Sequence, residues 1–156
     1  MFREMRRKNQ QLSDEECIQI LESAKRGILS VTGEDGYPYG VPMDFVLDNE
    51  KIYFHCALSG HKLDAVKADN KVCFTVLDDG VKEEGSWWYH FRSVICFGRI
   101  EIVEDEVQKL HALQVFGNKY MPTADDVKQE IKLDGARANV LEMTIDHMSG
   151  KRVREK

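Results

Sequence analysis

Short apolar segments alternate with polar turns along most of the chain, and this alternation predicts a protein built mainly from strands. The turns are rich in Gly, Asp and Asn, which is typical of hairpins; Gly33–Gly36 and Asp48–Glu50 are the clearest examples. The predicted strands cover residues 28–32, 37–47, 52–57, 72–77, 91–103 and 138–145. About six short strands joined by hairpins favour an antiparallel barrel over a doubly wound parallel sheet.

Several segments have the periodicity of helices instead. They begin after Ser13, at His61 and after Glu104-Asp105, and one further helical turn is predicted around residues 127–131. The first is the best marked, because Ser13 and Glu16 have the spacing of a capping box and Gly27 is placed to end the helix. The predicted fold class is therefore mainly β (α+β), with helices flanking the barrel.

Size and composition limit the classes of protein that fit. The 156 residues suit one domain over 1–156, with an N-terminal arm (1–10) and a basic tail (149–156) as peripheral segments. A net charge of −5 argues against nucleic acid as a partner. No apolar run approaches the roughly 20 residues that cross a bilayer, and the basic N-terminus is not followed by a signal-like apolar stretch. Four cysteines inside predicted helices and strands indicate free thiols in a reducing cytoplasm.

The junction between the third strand and the short helix carries the strongest chemical signal. Ser59 and Gly60 lead directly into His61 and Lys62. Unpaired N–H groups at a helix start attract anions, glycine permits close approach to the backbone, and the three polar side chains add donors and positive charge. This combination predicts a phosphate-binding corner. A solvated strand–helix corner with an exposed lysine is the alternative.

Other candidate chemistry is weaker. His55, Cys56, His61 and His90 contain metal-binding side chains, but His55 and Cys56 point to opposite faces of one strand, so no metal site is expected. No strand is followed by GxGxxG, and no nucleophile–base constellation is evident, which leaves the catalytic residues unknown. Arg99 is either a second anion partner or an ion-pair partner of Glu101 or Glu104.

Four blocks of sequence, in register, resemble one family. They are MRRKNQQLSDEE (5–16), GYPYGVPMDFVLDNEKIYFHCALSGHKLDAVKADNKVCFTV (36–76), FRSVICFGRIEIVED (91–105) and IDHMSGKR (145–152). Together they are similar to the FMN-binding split-barrel superfamily of pyridoxamine 5′-phosphate oxidase, in the branch of 5-nitroimidazole-resistance (Nim) proteins. The resemblance spans residues 5–152 and implies an antiparallel six-stranded split β-barrel.

The resemblance also implies roles for individual residues. The strand with Val41, Pro42 and Met43 matches the one that lies along the isoalloxazine ring and offers it backbone groups. The block FHCALSGHK matches the phosphate-binding segment. Its candidate cofactor-binding residues are His55, Ser59, His61 and Lys62. Many relatives have a second basic residue where this chain has His61, and a histidine there would make phosphate binding depend on pH.

A third strand and a partner subunit complete the implied site. The block RSVICFG matches the strand beneath the flavin, which places Ser93 and Val94 near the ring or the ribityl chain. Relatives dimerise with two flavin sites at the interface, so Trp88, with its neighbours Trp87 and Tyr89, is a candidate to cover the ring from the partner. Burial of the two indoles in the core and in the interface is the alternative interpretation.

The resulting functional hypothesis is an FMN-dependent oxidoreductase, with FAD also possible as cofactor, that reduces a small oxidised acceptor in the manner of a nitroreductase or Nim protein. A flavin-binding module without turnover is one alternative. A haem-binding split barrel is another, with His55, His90 or His147 as the iron ligand. The expected partners are a second copy of the chain and a small molecule, with no nucleic acid and no membrane.

Overall fold

A curled antiparallel sheet with flanking helices forms the protein. The computed structural model describes residues 1–154. The strands are β1 (Arg26–Thr32), β2 (Pro38–Asp44), β3 (Val46–Asp48), β4 (Lys51–Cys56), β5 (Lys71–Leu77), β6 (Val81–Lys82), β7 (Tyr89–Ile102) and β8 (Asn139–Val153). The helices are α1 (Asp14–Ser23), α2 (His61–Ala68), α3 (Glu106–Tyr120) and α4 (Ala124–Asp134), with short 3₁₀ turns at Lys8–Gln10 and Gly135–Arg137.

Neighbouring strands in the sheet follow the order β2-β1-β5-β7-β8-β4-β3, and β6 pairs with β7 outside this path. All pairs are antiparallel, so the predicted split-barrel class is confirmed. Within residues 1–154 the sheet has eight strands rather than six. One extra strand arises because the predicted strand 37–47 breaks at the buried Phe45, and the other is the two-residue β6. β2 is an edge strand, which accommodates Pro38 and Pro42.

Residues 149–153 of the predicted basic tail belong to strand β8. β8 ends at Val153 and pairs with β7 from Ile102↔Leu141 to Phe91↔Val153. The polar residues Asp146 and His147 interrupt the apolar alternation, next to the register shift at Phe97/Gly98. For this reason the sequence pattern predicted that the strand ends at residue 145. Residues 155–156 of the tail lie outside the described part.

The N-terminal arm is also tied to the sheet. Gln11 forms a bridge with Lys151, and Phe2 stacks on His147 with ring centroids 4.6 Å apart. Through these contacts the predicted arm, residues 1–10, lies against β7 and β8. Among residues 1–154, no helix combines the length and apolar character needed to cross a membrane.

Two helix boundaries differ from expectation, while α2 begins at His61 as predicted. Ser13 and Glu16 form the capping box of α1, but the helix ends at Ser23. Gly27 is instead in β1, where a Cβ would collide with the Phe74 ring and the Thr75 carbonyl oxygen. The segment predicted as one helical turn is the full helix α4, capped by the Thr123 side chain; only Val127 of α4 is fully buried, so its apolar signal was weak.

Strand β4 separates two apolar clusters. On one face, Ile52 and Phe54 belong to the main core together with Leu63 of α2. On the other face, Tyr53 packs in a smaller cluster with Ala112 of α3. The short helix α2 and the long helix α3 therefore lie on opposite sides of the strand that leads into the predicted phosphate corner.

The Tyr120 hydroxyl fixes the break between β2 and β3. It accepts a hydrogen bond from the Phe45 N–H at 3.0 Å and lies 2.7 Å and 2.5 Å from the carbonyl oxygens of Phe45 and Lys25. We expect Tyr120→Phe to lower the free energy of unfolding by about 1–3 kcal/mol, since buried backbone groups lose a partner. Urea denaturation measures the change. Tyr37→Phe, at a side chain 73% exposed, is the control and should have no effect.

A partly buried carboxylate joins β4, β8 and α3. Glu142 accepts hydrogen bonds from Lys51 Nζ and Gln108 Nε2. Burial acts to raise the pKa of Glu142, but the hydrogen bonds from Lys51 and Tyr53 outweigh it and hold the pKa below the ordinary value of 4.5. The ionised form is therefore favoured by folding.

A carboxyl group with a lowered pKa stabilises the fold above its unfolded-state pKa, and this stabilisation disappears as the pH falls through the folded-state value. We expect wild type to exceed Glu142→Gln in unfolding free energy at pH 7, and the difference to shrink as the pH drops below about 4.5. Denaturation curves of both proteins between pH 3 and 8 test this. A difference that is constant across that range would contradict it.

Candidate functional site

Helix α2 begins without a side-chain cap. Its N-cap residue is Gly60, with φ at 138°, and the carbonyl oxygen of Gly60 accepts from Leu63 and Asp64. In the described part of the chain, the other three α-helices are capped by the side chains of Ser13, Asp105 and Thr123. The first N–H groups of α2 therefore point out of the helix with no side-chain acceptor, and a Cβ at Gly60 would meet nothing within 4 Å. An oxyanion fits this position.

Lys62 brings a positive charge to the same corner. The side chain is half-buried, and its Nζ lies 3.4 Å from the sulfur of Met43 in β2. Within residues 1–154 it forms no ion pair with a carboxylate at 4 Å or less. Burial raises the pKa of the Cys56 thiol, and the nearby Lys62 ammonium opposes that rise. The Lys62 side chain therefore lies between β2 and the end of β4, beside the start of α2.

His61 lies on the other side of the helix start. Its ring stacks on Tyr39 of β2, with centroids 4.4 Å apart and planes 14° apart. Its Nε2 also borders the β1–β2 turn, 3.5 Å from where a Cβ on Gly33 would lie. His61 and Lys62 together connect α2 to the strand that carries Val41, so two of the implied cofactor-binding segments meet here.

The strand segment Val41–Met43 alternates between the two faces of the sheet. Met43 is buried and Val41 is half-buried against the core, whereas Pro42 is exposed on the outer face. Ser59 is exposed just before Gly60. The negative charge nearest along α2 is Asp64, in the first turn, which reduces the positive potential of the corner.

His55 lies apart from this corner. Its ring packs edge-on against Phe116 of α3, with centroids 4.6 Å apart, on the face of β4 opposite to Cys56 and α2. There it lines a cavity of about 140 Å³ together with residues of α3 and α4. Strand alternation places adjacent side chains on opposite faces, so His55 and Lys62 do not reach one ligand group within a single chain.

Ser93 and Val94 lie on β7, three strands from β2 in the sheet. The Val94 side chain is completely buried in the core, so only its backbone can face a ligand. Ser93 lies on the outer face, opposite Leu77. It thereby shares that face with Pro42, although the two residues are not in contact range within one chain.

Trp88 is held on a hairpin that leads into β7. Its ring stacks on Trp87, with centroids 4.0 Å apart, and Trp87 is 73% exposed. The base of the hairpin is fixed by Asp78, which accepts from Gly80 N–H, Arg92 N–H and Arg92 Nε. Burial acts to raise the pKa of Asp78, and the Arg92 contacts outweigh it and lower the pKa. The hydrogen bonds of Asp78 thus fix the base of the hairpin that carries the two indoles at the surface.

The remaining histidines lie in separate environments. His90 is partly buried at the hairpin, and its Nδ1 has no hydrogen-bond partner in the described residues. His147 stacks beneath Phe2. In the part of the chain that is described, no three His, Cys, Asp or Glu side chains gather into a group able to hold a metal ion. Of the two interpretations of Arg99, an anion partner or an ion pair with Glu101 or Glu104, the structure shows an ion pair, but its partner is Asp146, with Nε 3.1 Å from Oδ2.

Two features of the corner were not assigned from sequence. Tyr39 is not among the predicted site residues, yet its ring stacks on the His61 imidazole. Gly33 was interpreted only as a turn residue, yet it is buried beside the same imidazole. The alternation of Tyr39, Val41 and Met43 along one strand face was the available signal for Tyr39. The approach of Gly33 to α2 has no sequence signal.

The fold is that of a split barrel, and the start of α2 has no side-chain cap and lies beside the Lys62 ammonium. The family model described as pyridoxamine 5′-phosphate oxidase matches residues 13–152, and the chain belongs to that family. A search of curated protein sequences finds no match.

Solved structures share the fold over nearly the whole chain. A candidate 5-nitroimidazole antibiotic resistance protein from Bacteroides thetaiotaomicron is 25% identical, with a TM-score of 0.76, covering 91% of this chain and 86% of that one. An FAD-binding protein from Mycobacterium smegmatis is 23% identical, with a TM-score of 0.70, covering 94% and 99%. The flavocytochrome Anf3 from Azotobacter vinelandii is 21% identical, with a TM-score of 0.75, covering 97% and 73%. The chain therefore has the fold of flavin-binding split barrels.

Proposed function

We propose that this protein is a flavin-binding oxidoreductase that holds FMN, or the FMN half of FAD, at the start of α2. The observation that carries the proposal is the uncapped helix start beside the Lys62 ammonium, which has no carboxylate partner at 4 Å or less in residues 1–154. A phosphate supplies what this corner lacks, a negatively charged acceptor for several N–H donors. Membership of a family with flavin-binding structural neighbours supports the same ligand.

Different residues at this corner would bind different parts of the flavin. The α2 amides, the Ser59 hydroxyl, His61 and Lys62 would hold the phosphate, and the stacked Tyr39 would fix the imidazole in place. The strand Val41–Met43 would run beside the ring and offer backbone groups to its polar edge. A bound flavin supplies the redox chemistry, with a nicotinamide nucleotide as reductant and a small oxidised molecule as acceptor. The Bacteroides neighbour makes a nitro compound the first acceptor to test.

We further propose a homodimer with flavin sites at its interface. The register Pro42↔Ile28↔Thr75↔Ile95 crosses four strands on the outer face, beside Leu77 and Ser93. Ile28 and Leu77 are 36% and 56% exposed, which leaves an apolar surface suited to a second copy. This face contains both Pro42 and Ser93, and a partner seated on it would bring further groups to the same ligand. Trp88, the Val94 backbone and His55 remain the predicted additional contacts in that assembly.

The cytoplasm is the proposed location, and the free state of all four cysteines supports it.

The absorbance spectrum of the purified protein, with the released cofactor identified by mass, tests the proposal. We expect a flavin spectrum, or quenching of flavin fluorescence when FMN is added, and a dimer by light scattering. Oxidation of NADH or NADPH with a nitroaromatic acceptor would establish the oxidoreductase. Tight flavin binding without such turnover would favour a flavin-binding module. A Soret band on haem addition, with no flavin binding, would overturn the proposal.

A further inference from the structure

A small cavity lies between helices α3 and α4, beside His55 of β4, and its volume is about 140 Å³. The two helices are in close contact at Gly117, where an added Cβ would lie 2.6 Å from the Val127 side chain. The small residues Gly135 and Ala138 line the cavity where the chain leaves α4 for β8, so little side-chain volume fills it there. An apolar cavity of about 150 Å³ holds one benzene molecule, so this cavity has room for a single aromatic ring.

Most of the cavity lining is apolar. Val127 is buried, and the side chains of Leu113, Phe116 and Ile131 are half-buried. The His55 ring packs edge-on against Phe116, with centroids 4.6 Å apart. Leu113 and Phe116 also pack against the smaller apolar cluster beneath α3, which holds these two walls in place. Because aromatic rings favour edge-on and offset contacts with one another, the lining suits an aromatic ligand.

The exposed side of the cavity carries negative charge. Glu130 and Asp134 line it, and because they lie four residues apart on α4 their side chains share one face of the helix. Within residues 1–154, Glu130 has no cationic partner at 4 Å or less, and Asp134 pairs with the Arg137 guanidinium at 3.6 Å. Both members of that pair are more than half exposed, so it is weak. Apart from His55, no basic side chain of the described residues lines the cavity, and a cationic ligand group is therefore its electrostatic complement.

We infer that this cavity binds a small aromatic amine, with its ring between Phe116 and Ile131 and its ammonium toward Glu130 and Asp134. Ile131 lies between the two carboxylates along α4, so one short aliphatic link is enough to join the ring to the ammonium. A neutral aromatic molecule would use the apolar walls alone, and an aromatic carboxylate would be repelled.

This site goes beyond the proposed function. The apolar walls and both carboxylates belong to α3 and α4, on the face of β4 opposite to α2 and its main-core residue Leu63. Binding of the amine therefore does not require the proposed phosphate site.

Chemical-shift titration of the full chain, labelled with ¹⁵N, tests the inference. The probe is benzylamine, and benzyl alcohol and benzoate are its neutral and anionic analogues of similar size. We expect benzylamine to shift the amide signals of cavity residues such as Phe116 and Ile131. It should bind about tenfold more tightly than benzyl alcohol, because two carboxylates face its ammonium. Benzoate should not bind.

Variants separate the charge from the shape of the cavity. Glu130→Gln should weaken benzylamine binding about three- to fivefold, the effect of one exposed ion pair, and leave benzyl alcohol binding unchanged. Asp125→Asn removes a carboxylate from the first turn of the same helix, outside the cavity, and as the matched control should bind benzylamine like wild type. Ala138→Leu fills the cavity and should abolish binding of both molecules, with a thermal melt to establish that the variant is folded.

The possible outcomes separate this inference from the proposed function. Equal affinities for benzylamine and benzyl alcohol, tighter binding of benzoate, or unchanged cavity signals with all three molecules would overturn the inference. A wild-type affinity of Glu130→Gln for benzylamine would overturn it as well. Lys62→Ala, which removes the ammonium of the proposed phosphate site, should bind benzylamine like wild type. If FMN does not bind while benzylamine shifts the cavity signals, the flavin proposal fails and the amine site stands.

Discussion

Lys62→Ala is expected to weaken FMN binding by about 10- to 100-fold while leaving riboflavin binding unchanged, since a hydrogen bond to a charged group contributes about 1.5–3 kcal/mol. Only FMN carries the phosphate. The Lys62 ammonium lies beside the start of α2, with the Met43 sulfur as a weak neighbour at 3.4 Å and no carboxylate of residues 1–154 paired with it. Removing the side chain takes away the full charge and leaves the helix amides, so binding is weakened and not abolished. Fluorescence titration with both flavins measures the two affinities.

Lys67→Ala provides the matched control for this experiment. Lys67 is exposed in the last turn of the same helix and carries the same charge, but it lies at the end where the helix dipole favours cations. The control should bind FMN like wild type, which separates a local phosphate contact from a change in net charge. Equal losses for FMN and riboflavin in Lys62→Ala would mean that Lys62 stabilises the fold and does not contact the phosphate.

Gly98→Ala is expected to have the largest effect on stability, a loss of about 2–3 kcal/mol in the free energy of unfolding. Gly98 lies at the register shift between β7 and β8, where the two strands approach closely. An added Cβ would overlap the Thr144 carbonyl oxygen and lie 3.0 Å from the Met143 side chain. A backbone atom in the longest strand pair cannot move aside cheaply, so the strands must separate. Urea denaturation of the variant measures the loss.

Gly40→Ala serves as the control for a glycine in a strand. There the added Cβ would meet only the Ile28 side chain, at 3.2 Å, and that side chain is partly exposed and free to shift. We expect a change of less than about 1 kcal/mol. If Gly98→Ala were as mild as the control, the close approach of β7 and β8 would have to relax without cost, and the bulge would not be a rigid part of the barrel.

The strand–helix corner that we propose as the phosphate site could be located from the sequence because all of its signals are local. Strand, glycine, histidine and lysine follow one another within a few residues, and α2 begins at His61 as the pattern predicted. The capping box of α1 was equally local. The antiparallel class followed from short strands and hairpin turns, which depend on neighbouring residues only. The corrections arise where distant segments meet.

For His55, the sequence did not determine which helix its side chain would face. Alternation says that His55 and Cys56 face opposite sides, but it does not say which side holds α2 and which holds α3. The helices decide this, because Leu63 packs with Phe54 and Cys56 while Phe116 packs against His55. The C-terminal part of β8 could not be predicted for the same reason. Its polar residues form a strand because they pair with β7, which lies far away in sequence.

By itself, the sequence determined the alternation that makes this chain mainly β, the start of α2 and the amino acids able to hold a phosphate, since each depends on residues adjacent along the chain. Only the tertiary structure decided that Lys62 meets Met43, that Arg99 pairs with Asp146, and that His55 borders one cavity with residues of α3 and α4. Those contacts join residues far apart in sequence, and their geometry follows from how the sheet curls and pairs.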